Sequence, residues 1–174
     1  MKAPILTDAQ WEHAFAQVSL MQRPKHYRLL MLLVRKLGLR PMELAGMQSN
    51  WFRMGELRIP LGHSKRKSGR SLPVDAELEQ ALAEHLQGRT GYVFLNQDGE
   101  PFKPGLMSAS IARVFKEAGM WGSAYSGRRG GAQRLLDNGE NILTIQAYLG
   151  HSSPMTTLAY VGVSQVQLAR ALYA

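Results

Sequence analysis

The segment Leu149-Gly150-His151-Ser152-Ser153-Pro154-Met155-Thr156-Thr157-Leu158-Ala159-Tyr160 sets a histidine after a helix-ending glycine and a tyrosine nine residues further on. Upstream, Arg128-Arg129 opens another helix, and Arg40 lies in Gly38-Leu39-Arg40-Pro41-Met42-Glu43-Leu44. Guanidinium is planar, bidentate and always charged, which suits it to phosphate oxygens. A tyrosine hydroxyl can act as a nucleophile and form a covalent intermediate. On a basic chain, two arginines, a histidine and a tyrosine fit covalent chemistry on a DNA phosphate.

The bulk numbers agree. Net charge is +8 over 174 residues, with a pI of about 10.0, and such a balance favours polyanions, nucleic acid first. Apolar residues make up 45% and charged residues 20%, ordinary for a globular domain with a real core. The longest apolar runs, such as Leu29-Leu30-Met31-Leu32-Leu33-Val34, are too short to span a bilayer. The start, Met1-Lys2-Ala3-Pro4-Ile5-Leu6, holds no apolar stretch of signal-peptide length. There is no cysteine, so disulfides and thiolate metal sites are excluded, and a reducing, cytoplasmic location is expected. Neither His151 nor His63 has a partner at metal-ligand spacing, so no metal or cofactor is expected.

The elements that must position these residues are mostly helical. Thr7-Asp8-Ala9-Gln10 reads as a capping box, with a helix to about Ser19. Tyr27 to Leu37 reads as a second helix between Pro24 and Gly38, and Pro41 can open a third through Met47. The pattern then changes to short strands at Trp51-Phe52-Arg53, Leu57-Arg58-Ile59 and Ser71-Leu72-Pro73-Val74, with turns at Met54-Gly55 and near Ser68-Gly69. Asp75 caps a helix to about Leu86, and Tyr92 to Leu95 is extended. Helices follow over Leu106 to Ala118, from an N-cap at Ser126 to Asp137-Asn138-Gly139, from Asn141 to Gly150, from Ser153-Pro154 onward, and over Gln165 to Tyr173. The expected fold class is mainly α with a small inserted antiparallel β-sheet.

In this order the boxes resemble the catalytic domain of the tyrosine recombinases, the phage-integrase family, from about Leu6 to Val161. Gly38 to Leu44 is similar to that family's first arginine box. Lys65, eight residues before Pro73, is placed like the family's lysine on the turn between the second and third strands. Tyr125-Ser126-Gly127-Arg128-Arg129 resembles the box in which a histidine precedes the second arginine by three. Leu149 to Ser152 and Thr156 to Tyr160 resemble the last box, whose tyrosine is the nucleophile.

The resemblance assigns roles to residues of this chain. Tyr160 forms a 3′-phosphotyrosine that conserves bond energy, so a 5′ hydroxyl rejoins the strand without ATP. Arg40 and Arg128 grip the non-bridging oxygens as charge grows on them, and losing one such group costs on the order of 10²–10³ in rate. Lys65 is the general acid for the leaving oxygen, with Lys67 as its rival; crowding by arginines lowers a lysine pKa toward a useful range. His151 hydrogen-bonds the phosphate, and Glu43 orients an arginine. Tyr125 departs from the family pattern. A phenol donates a hydrogen bond but is neutral and a poor proton carrier, so the exchange costs about 1–2 kcal/mol, or roughly ten- to thirty-fold. Gly130 and Gly131, in the first turns of a helix, each cost about 1 kcal/mol against alanine and imply close backbone approach, to DNA or to a neighbouring helix.

The resemblance also implies double-stranded DNA as partner, with four protomers on two sites and monomers in solution, and no membrane. Arg66, Lys67, Arg70, Lys103 and Arg129 are the expected backbone contacts, which position without specifying sequence. Residues 1–174 read as a single catalytic domain without an N-terminal core-binding domain. The terminal segment 164–174 carries an apolar stripe of Val166, Leu168, Ala169 and Leu172, either folded back or packed on a neighbouring subunit. The expected function is site-specific recombination by cleaving and rejoining DNA. Tyr125 and the glycine pair motivate an alternative, a DNA-binding accessory or regulatory protein that keeps the fold with weak or lost cleavage.

Overall fold

The structure, a computed structural model, describes residues 2–63, 69–158 and 165–173. Its first helix, α1 (Asp8–Leu20), starts at the expected capping box: Gln10 N donates to Thr7 Oγ1 over 3.2 Å, and Thr7 N to Gln10 Oε1 over 2.9 Å. Its inner face carries Trp11, Ala14 and Val18, and the Trp11 ring meets Phe115 edge-on at 5.6 Å.

The apolar run from Leu29 to Val34 explains the next element. Helix α2 (Pro24–Leu32) is the centre of the core, and all six residues of that run are buried. Six apolar residues in succession cover every side of a helical turn, which then requires neighbours all round; for α2 these include α1, α4 and α5. The sequence predicts one continuous helix to Leu37. Instead, Leu33–Leu37 widens into a π-helical turn that closes at Gly38, whose φ of 57° is left-handed. Such widened turns recur at functional sites, and this one delivers the chain to Arg40.

Helix α3 (Pro41–Ala45) is short, and a 3-10 turn over Ser49–Trp51 leads into the sheet. Strands β1 (Phe52–Arg53), β2 (Glu56–Ile59) and β3 (Arg70–Pro73) pair antiparallel in the order β1-β2-β3. The β1–β2 link is the two-residue turn Met54-Gly55, where both φ values are positive, 54° and 74°, the geometry that matches strand twist. Leu57, Ile59 and Leu72 are buried in alternation with polar neighbours.

Asp75 caps α4 (Ala76–Leu86), accepting from Leu78 N over 3.0 Å. The chain returns through Tyr92 to Leu95, which forms only isolated bridges rather than a strand, to α5 (Pro104–Glu117). Helix α6 (Ala124–Asp137) begins three residues before the expected cap: Ser123 is the N-cap, and Ser126 is the reciprocal partner whose Oγ accepts from Ser123 N over 3.2 Å. Tyr125 is therefore inside the first turn. Helices α7 (Ile142–Leu149), α8 (Pro154–Leu158) and α9 (Gln165–Tyr173) complete the order.

The glycines of α6 are used for packing. A Cβ on Gly127 would lie 2.7 Å from the Val34 carbonyl carbon in the π turn, and one on Gly131 would lie 2.6 Å from Tyr148 Cζ on α7. The approach at Gly131 is therefore to a neighbouring helix. Gly130 is buried too, but a Cβ there would meet only Arg134 Nη1 at 3.5 Å and Ile5 Cγ2 at 3.9 Å, ordinary contact distances. Among the described residues, no helix is long and apolar enough to cross a membrane.

Candidate active site

The end of α7 organises the site. Gly150, with φ of 58° and ψ of 45°, lets the chain turn back, so Gly150 N bonds Ala147 O over 3.1 Å and His151 N bonds Gln146 O over 3.1 Å. This pair of bonds is a Schellman closure. It satisfies the carbonyls of Gln146 and Ala147 and leaves those of Tyr148 and Leu149 at the negative end of the helix.

Guanidinium groups meet both. Arg40 Nη2 donates to Leu149 O over 3.1 Å, and Arg128 Nη2 donates to the same oxygen. Arg70 Nη1 donates to Tyr148 O. Arg128 also donates from Nη1 to Gly38 O over 2.8 Å, tying α6 to the end of the π turn. Its side chain is 1% exposed. Arg40 sits at the start of α3, where Glu43 takes its backbone N–H at 2.7 Å and its Nη1 at 3.1 Å. The three-residue spacing of Arg40 and Glu43 foreshadows this.

His151 is 8% exposed. Its Nε2 faces Arg128 Nη2 at 3.4 Å, and its Nδ1 lies 3.0 Å from Thr157 Oγ1 on α8. Gln146 Nε2 steadies the His151 carbonyl at 2.9 Å. Thr157, fully buried, is a site residue that sequence reasoning misses; a hydroxyl six residues from a histidine gives no signal by itself.

The main correction concerns Arg70. The sequence reading places it among the expected DNA-backbone contacts. Its side chain is only 5% exposed and pairs with the 1%-exposed Glu43, Nη2 to Oε2 at 2.9 Å. Burial pulls its pKa down from the usual arginine value, and the Glu43 carboxylate opposes that shift. Strand alternation is the missed signal: Arg70 shares a face with buried Leu72. Arg129 is half-buried, and its Nη1 donates to Ala3 O. Lys103 is exposed, at the N-cap of α5. Tyr125 is 46% exposed on the first turn of α6. Lys65, Arg66, Lys67 and Tyr160 lie outside the described residues.

Residues from three separate boxes, Arg40, Arg128 and His151, thus meet at one helix end. Guanidinium donors from two directions and an imidazole stand side by side, a donor set of the kind that suits an oxyanion. Among the described residues, no group of three or more His, Cys, Asp or Glu stands together to hold a metal.

Comparison with known proteins gives the family. The family model described as the phage integrase family matches residues 5–166. The tyrosine recombinase XerC of Lactobacillus delbrueckii subsp. bulgaricus is 29% identical over 153 residues, covering 81% of this chain and 52% of that protein. XerC of Methylobacterium sp. is 30% identical, covering 79% and 45%. The crystal structure of XerA recombinase superposes with a TM-score of 0.81 at 20% identity, over 99% of this chain and 65% of that one. The XerH site-specific recombinase bound to its difH substrate, in a pre-cleavage complex, gives 0.77 at 21% identity, over 99% and 55%. The chain spans about half the length of these curated relatives. The fold is that of a tyrosine recombinase catalytic domain, and the chain belongs to the phage integrase family.

Proposed function

We propose that this chain is the catalytic domain of a site-specific DNA recombinase that cleaves and rejoins strands through a 3′-phosphotyrosine. The observation that carries the reading is the convergence of Arg40, Arg128 and His151 on the end of α7. In the reaction, the Tyr160 oxygen attacks phosphorus as its proton passes to water, the bond from phosphorus to the 5′ oxygen breaks, and Lys65 protonates that leaving oxygen. Arg40 and Arg128 neutralise the non-bridging oxygens as their charge grows, and His151 adds a hydrogen bond. No metal is required. In the reverse step a 5′ hydroxyl attacks the phosphotyrosine and Tyr160 leaves.

Exposed Lys103 and half-buried Arg129, with Arg66 and Lys67, supply backbone contacts, so binding falls steeply with salt. On α9, Arg170 Nη1 bonds Asp137 O at 2.7 Å while Leu168 and Leu172 are 43% and 62% exposed. Apolar groups left open on a terminal helix support packing against a neighbouring subunit, in an assembly of four protomers on two DNA sites.

The test uses a duplex nicked beside the cleavage point, carrying the sequence that the wild-type chain selects from a randomised library. A covalent adduct is expected, and Tyr160→Phe should remove it. No adduct with the wild-type chain refutes the reading. Tyr125, a neutral phenol exposed on the first turn of α6 where the family pattern has a histidine, favours a second reading, a DNA-binding regulator without cleavage. It expects specific binding with no adduct, and restored cleavage in Tyr125→His.

A further inference from the structure

We propose that Arg70 is a positioning residue for the phosphate-gripping arginines, an inference that rests on the recombinase reading above. The side chain makes two bonds at once. Nη2 holds Glu43 Oε2 at 2.9 Å, and Nη1 holds the Tyr148 carbonyl. Glu43 in turn fixes Arg40 through both its backbone N–H and its Nη1. The Tyr148 carbonyl is one residue from the Leu149 carbonyl that receives Arg40 and Arg128. Arg70 therefore reaches the cradle from two sides, through the acid that orients Arg40 and through the helix end on which Arg40 and Arg128 rest.

Packing closes the arrangement. A Cβ on Gly150 would lie 2.9 Å from Arg70 Cδ, so the arginine stem runs beneath the glycine that precedes His151. Glycine at this position serves both the left-handed turn and the passage of that stem. Arg70 is also the first residue of β3, five positions after Lys65. One guanidinium thereby joins the strand that follows the general acid to the helix end that precedes the histidine. Only a planar fork with parallel donors can bridge a carboxylate and a carbonyl in this way; a lysine ammonium on its stem supplies a point charge instead.

The assignment separates from phosphate binding by measurement. A group acting through Arg40 changes the chemical step, because a displacement of about 1 Å in a catalytic group costs roughly 10²-fold in rate. A direct phosphate ligand instead changes affinity, and removing it lowers the salt slope by about 0.9 for each phosphate no longer neutralised. The experiment follows single-turnover adduct formation at saturating nicked duplex, together with the dissociation constant at several salt concentrations, for wild type, Arg70→Gln, Arg40→Ala and the double variant. Expected are a roughly 10²-fold slower Arg70→Gln with unchanged affinity and salt slope, and a double variant no slower than Arg40→Ala. Arg70→Lys, which keeps the charge and one bond, should be about tenfold slower.

Wild-type cleavage by Arg70→Gln overturns the inference alone, as does a reduced salt slope or full additivity with Arg40→Ala. If Arg70→Gln does not fold, Arg70→Lys decides: a wild-type rate overturns the proposal, and loss of fold in both variants reduces Arg70 to framework and overturns it too. A wild-type chain that forms no adduct refutes the recombinase reading itself and this inference with it.

Discussion

Two neighbouring glycine positions on α6 should respond to the same substitution with opposite sign. A Cβ on Gly127 meets the Val34 carbonyl carbon at 2.7 Å, where ordinary contact begins at 3.4 Å, a deficit of 0.7 Å against backbone. Neither partner can swing away, because Val34 belongs to the π turn and is fully buried. Overpacking of this kind costs about 1–3 kcal/mol. The upper end applies where backbone must shift, and alanine's better helix propensity returns about 1 kcal/mol. Gly127→Ala should therefore lose about 2 kcal/mol. At Gly130 the nearest atom is the flexible tip of Arg134, at 3.5 Å, so only the propensity gain of about 1 kcal/mol remains. For a chain of this size each kcal/mol moves Tm by about 2–4 °C. Thermal unfolding should place Gly127→Ala about 4–8 °C below wild type and Gly130→Ala about 2–4 °C above it. Shifts of the same sign, or an unchanged Gly127→Ala, would refute the reasoning from close approach.

Other consequences can be checked as directly. Burial holds the His26 pKa near 3, with Arg23 and His85 adding to the shift, against 6.5 when exposed. The unfolded chain thus binds more protons between those values, so stability should fall as pH drops from about 6.5 toward 3; His26→Phe, among Tyr27, Phe94 and Phe102, should flatten that slope in urea unfolding. The Tyr148 hydroxyl is buried without a hydrogen-bond partner, a state that costs about 1–3 kcal/mol. Tyr148→Phe should raise Tm, and it should soften the penalty of Gly131→Ala, whose Cβ would press on that ring; a lower Tm for Tyr148→Phe sinks the argument. Thr157→Val removes the oxygen that faces His151 Nδ1 at 3.0 Å and should slow adduct formation by about tenfold, with DNA affinity unchanged; an unchanged rate shows that His151 needs no such anchor.

Much of the fold is legible in the sequence because local signals and burial agree. Thr7-Gln10 and Asp75 form the caps that their chemistry predicts, and the alternation around Leu57 and Leu72 marks the strands. The discrepancies have local causes. Ser123 and Ser126 are both able caps, and the reciprocal bonds between them set the cap at the earlier one. Leu33–Leu37 reads as ordinary helix because an extra residue in a turn leaves no compositional trace. At the site, type and spacing single out Arg40, Arg128 and His151, and the structure brings them together. Its closeness to Arg66 and Lys67 groups Arg70 with the expected backbone contacts, although its strand position turns it inward. A long-range pair such as Arg70–Glu43, 27 residues apart, leaves no periodic signal in the chain.

The Leu149 carbonyl has a consequence for binding. Arg40 and Arg128 already rest on it before any anion arrives. Ordering a long, flexible side chain costs up to about 1.5–2 kcal/mol in rotamer entropy. Here that loss is taken when the domain folds, so under the proposed function it does not recur when DNA docks. A phosphate entering the cradle meets donors that are already aligned, and the free energy of that encounter goes into the contacts themselves rather than into collecting the groups that make them.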